Sequence, residues 1–235
     1  MGVISLAILE PANGASVVGS GSVRLRGQVL SSGHPPLFFK WYSSLVAPVA
    51  PSTDASIPLP GGANPLDFTP TLPLGSQIIA LAAKDQPGES QAELQAVTDA
   101  GMAGGPPGTA PTPCLIHVLI ANLREPAAPG ATLSKASSAL AAQAPPLWPE
   151  ATYQARNDLQ YRWRFSPVGP PAGRPTAEFV PALAFDPSGG VPVVRYTGPL
   201  PAQLGTGAYR LTLRVERVTN TAVGHEVSRD VVLAP

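Results

Sequence analysis

Cysteine occurs once in the 235 residues, at Cys114, so no intramolecular disulfide is available and packing alone must hold any core. Charged residues make up only 13% and aromatics 6%, against 44% hydrophobic residues, a balance that excludes the composition of a disordered chain. Lys and Arg number 15, as do Asp and Glu, which leaves no basic excess for nucleic acid and little repulsion between copies. No window approaches the roughly 18 consecutive apolar residues of a membrane-spanning helix. The start, Met1 to Glu10, lacks a basic leader region and runs into a turn at Pro11 to Gly14, so it reads as a strand rather than a signal peptide. The expectation is no membrane insertion and cytoplasmic synthesis, with residence in a virion or other particle, and an extracellular location as the alternative. Phosphate loops, nucleotide fingerprints and glycosylation sequons are missing too.

Turn formers are abundant: 30 Pro and 23 Gly argue for many short strands and little long helix. The stretch Leu72 to Gly88 shows the pattern best. Pro73 and Gly75 bend the chain, Ile79, Leu81 and Ala83 share one face of a strand with period two, and Asp85 with Pro87-Gly88 opens the next turn. Further strands fall at Val3 to Leu9, Ser22 to Leu30, and Leu37 to Tyr42, with Trp41 as a core anchor. The segment 45–65 reads as a loop with short edge strands, and Gln91 to Thr98 as a closing strand. Ala100 to Pro113, rich in Gly and Pro, has the composition of a linker, which sets a boundary between domains at 1–106 and 107–235. Cys114 to Leu123 starts the pattern again. Asp158 to Phe165 repeats the tryptophan strand with Trp163, Gly207 to Glu216 repeats the Gly75 strand, and Glu226 to Leu233 supplies a last one. Leu133 to Ala144 is Ala-rich and fits a short helix by propensity or a strand by position; both stay open.

Three sets of residues carry a family likeness. Leu72-Pro73-x-Gly75 with Ile79, Leu81, Ala83 and Asp85 resembles the penultimate strand of bacterial and phage immunoglobulin-like domains of the PKD and fibronectin-III-related kind. Pro11-x-x-Gly14, Val23-x-Leu25-x-Gly27 and Trp41 resemble the start of the same domain. Gly205-x-Gly207-x-Tyr209-x-Leu211 is similar to the tyrosine corner, with Leu211 where a disulfide cysteine would stand. The resemblance implies an all-β chain of two tandem, disulfide-free immunoglobulin-like β-sandwich domains. It also implies that Tyr209 buries its ring and hydrogen-bonds backbone at the sandwich corner. It names no ligand, since such domains serve in adhesins, secreted enzymes and particles alike.

No constellation for catalysis, cofactor or metal emerges, and the chain reads as a non-enzyme. His34 and His225 read as solvated turn residues. Cys114 and His117, three apart on a strand, point to opposite faces, a buried thiol and an exposed imidazole. Asp85, Glu89, Asp99 and Asp186 lie in turns without a calcium-loop spacing, and Asp186 reads simply as a turn initiator. Charge placement is the sharper signal. Residues 1–120 carry four basic against seven acidic residues, and residues 121–235 eleven against eight, a balance of −3 and +3. With Trp163 and Tyr209 inward, Arg162 and Arg164 on one strand and Arg210, Arg214 and Glu216 on its neighbour point outward, forming an arginine-rich face that could dock on an acidic partner, another copy included. The alternative is that Glu226 and Asp230 neutralise it across the strands. Trp148 and Tyr153 are candidates for sugar contact, against a role in capping the second core. The expected function is thus a structural or adhesive protein making protein contacts in a larger assembly of phage-like or contractile-injection type, with a carbohydrate-binding or extracellular adhesion module as the alternative.

Overall fold

The computed structural model describes residues 5–31, 38–43, 66–84, 112–146 and 158–235. These are all β, and the chain divides into two compact units, Met1–Val118 and Leu119–Pro235. Among the described residues no helix is long and apolar enough to cross a membrane.

The first unit contains β1 (Ser5–Glu10), β2 (Ala15–Val18), β3 (Leu25–Ser31), β4 (Phe38–Ser43), β5 (Asp67–Phe68), β6 (Gly75–Lys84) and β7 (Thr112–Leu119). They form two sheets, ordered β1-β3-β5 and β2-β7-β6-β4. Period two places Ile79 and Leu81 of β6 inside, with Trp41 of β4 in register with Leu81. Gly27 on β3 makes that packing possible, because a Cβ there would stand 2.4 Å from a Leu81 methyl and 3.3 Å from the Trp41 ring.

The pairing of β7 corrects the domain boundary drawn at 106/107. Leu81 to Gly75 runs antiparallel to Thr112 to Val118, so β7 completes the first unit instead of starting the second. The Gly- and Pro-rich stretch therefore joins two hydrogen-bonded neighbours of one sheet. Composition could not show this, because a linker and an intradomain connection favour the same residues.

The second unit contains β8 (Leu123–Glu125), β9 (Ala131–Ser134), β10 (Ser138–Gln143), β11 (Leu159–Pro167), β12 (Ala177–Phe179), β13 (Ala184–Asp186), β14 (Val193–Gly198), β15 (Gly207–Arg217) and β16 (Gly224–Ala234). One sheet is ordered β13-β14-β10-β8 and the other β12-β11-β15-β16-β9, with β9 parallel to β16 and the remaining pairs antiparallel. Here the first strand splits, giving one piece to each sheet, and the rest follow the strand order of an immunoglobulin-type sandwich. The Ala-rich stretch left open between helix and strand forms β9 and β10. Position prevails over propensity because β10 is hydrogen-bonded on both sides, to β14 and β8.

Trp163, Phe165, Tyr209, Leu211, Leu213 and Leu140 are fully buried in this core. Each such aliphatic or Phe side chain contributes about 1.5–3 kcal/mol. Phe165 meets Tyr209 edge-on at 6.4 Å between ring centroids. The tyrosine corner is present: the Tyr209 hydroxyl oxygen accepts the Gly205 N–H at 3.2 Å. Leu140 and Leu211 occupy the two strands that an inter-sheet disulfide would join.

The two units share one plan. Trp41 faces Leu81 across β4–β6 as Trp163 faces Leu213 across β11–β15. Each first strand ends in Glu-Pro, at Glu10-Pro11 and Glu125-Pro126, and each leads to a glycine of positive φ, Gly14 and Gly130. Both glycine amides donate to the last strand of their unit, to Leu115 O and Asp230 O, at 2.7 Å.

Candidate functional site

The outer face of the five-stranded sheet carries a connected set of ion pairs and hydrogen bonds between strand side chains. Alternation along β11 and β15 sends Tyr161, Trp163 and Phe165, and Tyr209, Leu211 and Leu213, inward. The intervening Arg162, Arg164, Arg210 and Arg214 consequently face out together. Arg162 stands in register with Arg214, and Arg164 with Thr212.

These arginines are not a bare basic patch. Glu216, only 2% exposed, is the hub. Its Oε1 accepts from Gln160 Nε2 at 2.6 Å and Arg162 Nε at 2.9 Å, and its Oε2 accepts from Arg214 Nε at 2.6 Å. Burial opposes the charge on Glu216, yet the hydrogen bonds from Arg214, Gln160 and Arg162 outweigh it and hold the carboxyl below its ordinary value. Arg162 also donates to Glu178 at 2.8 Å. Arg214 donates to Glu226 and to the Thr221 carbonyl, both at 2.9 Å. Arg210 pairs with Asp230 at 3.0 Å across β15–β16. Between them, the Thr212 and Ser228 hydroxyls are hydrogen-bonded at 2.8 Å. Glu226 and Asp230 thus neutralise Arg214 and Arg210 across the strands, joined by Glu178 and Glu216.

Arg164 differs from its neighbours. Its Nη2 stands 3.6 Å from Glu226 Oε2, beyond hydrogen-bond distance, and its buried Nε has no hydrogen-bond partner. The side chain is 43% exposed. Four positive charges are thereby matched by four negative ones, with one guanidinium loosely held at the centre.

The remaining candidates are dispersed. Trp148 and Tyr153 lie outside the described residues, as do His34, Asp85, Glu89 and Asp99. Asp186 accepts from the Ser188 hydroxyl and amide and from Arg195, and these contacts hold its carboxyl down to about 2. Cys114 is buried, with its thiol against Pro11 O at 3.2 Å, and burial pushes its pKa up to about 11.

Two histidine readings need correction. His117 is 2% exposed rather than solvent-facing, its Nδ1 2.8 Å from Ser76 Oγ, because β7 is a central strand flanked by β2 and β6. His225 sits in β16, not in a free turn, and its Nδ1 accepts the Ala121 N–H at 2.8 Å. Among the described residues no three His, Cys, Asp or Glu side chains come together as a metal site.

Gln77 was missed from sequence, and Glu216, placed on the outward face, is buried there instead of solvated. Gln77, two residues after Gly75, matches Tyr209, two residues after Gly207, and its buried amide donates to Pro73 O four residues back at 2.9 Å. Aligning the two glycines would have revealed this polar version of the corner. The burial of Glu216 had no signal of its own, since a carboxylate at an outward strand position ordinarily meets solvent.

No protein-family model matches the chain, and no curated protein matches it. Solved structures similar to it include the Dpr2 Ig1-Ig2 and DIP-Theta Ig1-Ig3 complex, at 14% identity and TM-score 0.34, covering 99% of this chain and 65% of the other. SGBP-B of the Bacteroides ovatus mixed-linkage glucan utilization locus, solved in complex with a mixed-linkage heptasaccharide, is 11% identical with TM-score 0.27 over 98% of this chain and 47% of that one. The fibronectin(III)-like modules of Clostridium thermocellum CbhA are 12% identical with TM-score 0.26, over 97% and 93%. The chain spans about half to two thirds of the length of the first two. Strand order, the parallel β9–β16 pair and the tyrosine corner define the second unit's fold independently of these likenesses.

Proposed function

We propose that this chain is a non-catalytic contact protein, a structural or adhesive subunit of a large assembly of phage-like or contractile-injection type. In this reading the outer face of β12-β11-β15-β16 meets a protein partner. The observation that supports it is the ordered charge lattice centred on Glu216. Ion pairs fix the side chains in advance on a rigid sheet, so little side-chain entropy remains to be lost on contact, and alternating charge favours selectivity and register over bulk attraction.

The test must alter the pattern without breaking the lattice. Reversing Arg162 would strand the buried Glu216 and confuse unfolding with lost contact. Arg210 and Asp230 are both 56% exposed and pair only at the lattice edge, so Arg210→Asp with Asp230→Arg keeps their ion pair while inverting what a partner meets. Tagged wild-type chain should co-migrate with a megadalton species when its native source lysate is fractionated by size, and the double swap should run near its own 24.1 kDa. Identical migration of the two overturns the role of the face. A lone wild-type monomer overturns the assembly role and directs attention to glycan binding.

A further inference from the structure

Within the lattice, Arg164 is the guanidinium with unused donor capacity. Of its five N–H groups none makes a hydrogen bond among the described residues, whereas Arg162, Arg210 and Arg214 each make at least one at 3.0 Å or less. It occupies the middle of the face, in the row Glu178, Arg164, Thr212, Ser228 across four strands. A planar guanidinium in that position is suited to receive a carboxylate through two parallel hydrogen bonds.

The chain itself carries a segment of the matching sign. Between Lys84 and Arg124 the sequence holds Asp85, Glu89, Glu93 and Asp99 and no Lys or Arg. All four acids fall in residues 85–111, between β6 and β7. Those strands are hydrogen-bonded neighbours that a turn of about two to five residues would join. The whole chain is neutral, so copies approach without net repulsion, while the first unit is −3 and the second +3.

Resting on the reading of this face as a contact surface, we infer that Arg164 docks a carboxylate from the acidic 85–99 segment of a second copy of this chain. The contact is head-to-tail: each copy offers one face and one segment, so association can continue from copy to copy.

Sedimentation of the full chain over a range of concentrations tests this. At about 50 mM salt the average mass should rise with concentration, and at about 0.5 M it should return to 24.1 kDa, because such contacts are screened. Arg164→Glu and the pair Glu89→Lys with Glu93→Lys should each weaken association by about tenfold or more, and an equimolar mixture of the two variants should regain it. Arg164 has no hydrogen bond to lose, so Arg164→Gln, which removes the charge without reversing it, should keep the wild-type melting temperature while weakening association in the same direction. Wild type that stays monomeric at low salt, Arg164→Glu that associates like wild type, or a mixture no better than its components overturns the inference. Monomeric wild type that still loses its large native assembly on Arg164→Glu would overturn the second copy as partner while leaving the contact face standing.

Discussion

Replacing Glu216 by Ala should destabilise the second unit by about 2–4 kcal/mol, somewhat under the roughly 3–5 kcal/mol of a broken, fully buried ion pair. Glu216 accepts three short hydrogen bonds, two of them from arginines, while its side chain is 2% exposed. Hydrogen bonds to charged groups are each worth roughly 1.5–3 kcal/mol, and breaking a buried pair leaves uncompensated charge behind. The full sum is not reached, because Arg162 and Arg214 keep Glu178 and Glu226 and remain partly open to water. At about 4 °C per kcal/mol for a unit of this size, the melting temperature should fall by roughly 8–16 °C. Urea unfolding followed by circular dichroism measures the loss directly. The effect should also depend on pH with a definite sign. The folded carboxyl titrates below its ordinary value of 4.5, so its contribution is present above that value and disappears as pH falls through the folded one. The gap between wild type and variant should therefore be full at about pH 7 and narrow below about pH 4.5. A loss under about 0.5 kcal/mol, the range of an ordinary surface substitution, or a gap that does not change with acid, would refute the hub as the organiser of the face.

Tyr209→Phe keeps the buried ring but leaves the Gly205 amide without its acceptor, and should cost about 1–2 kcal/mol in urea unfolding; a neutral result would mean that the corner is held by packing alone. With its pKa raised to about 11, Cys114 has roughly one thiolate in a thousand at about pH 8, and it is buried as well. Alkylation should be slow in the native protein and fast in denaturant, and full native labelling within minutes would contradict the burial.

Strand pattern was legible where period two coincided with large side chains. Trp41, Trp163, Tyr209 and the strands after Gly75 and Gly207 could be read because an aromatic or branched residue inside alternates with a polar one outside. What stayed hidden depended on partners distant in sequence. Nothing local tells Cys114 to Leu119 to pair back with β6, and nothing in an Ala-rich run announces hydrogen bonds on both sides of β10. The four arginines could be placed on one face from alternation, but not their degree of neutralisation. Glu216 is buried because long side chains from two strands fold over it, an event of packing rather than of pattern.

Direct pairing of β6 with β7 holds the two strands to each other by their own ladder of backbone hydrogen bonds. The sheet needs only a tight turn there, and the entropic cost of closing a longer connection grows slowly with length. The β6–β7 ladder therefore rests on its own backbone pairing rather than on the length of the chain that connects the two strands, and a change in that length should leave the register of Gly75 against Val118 as it is.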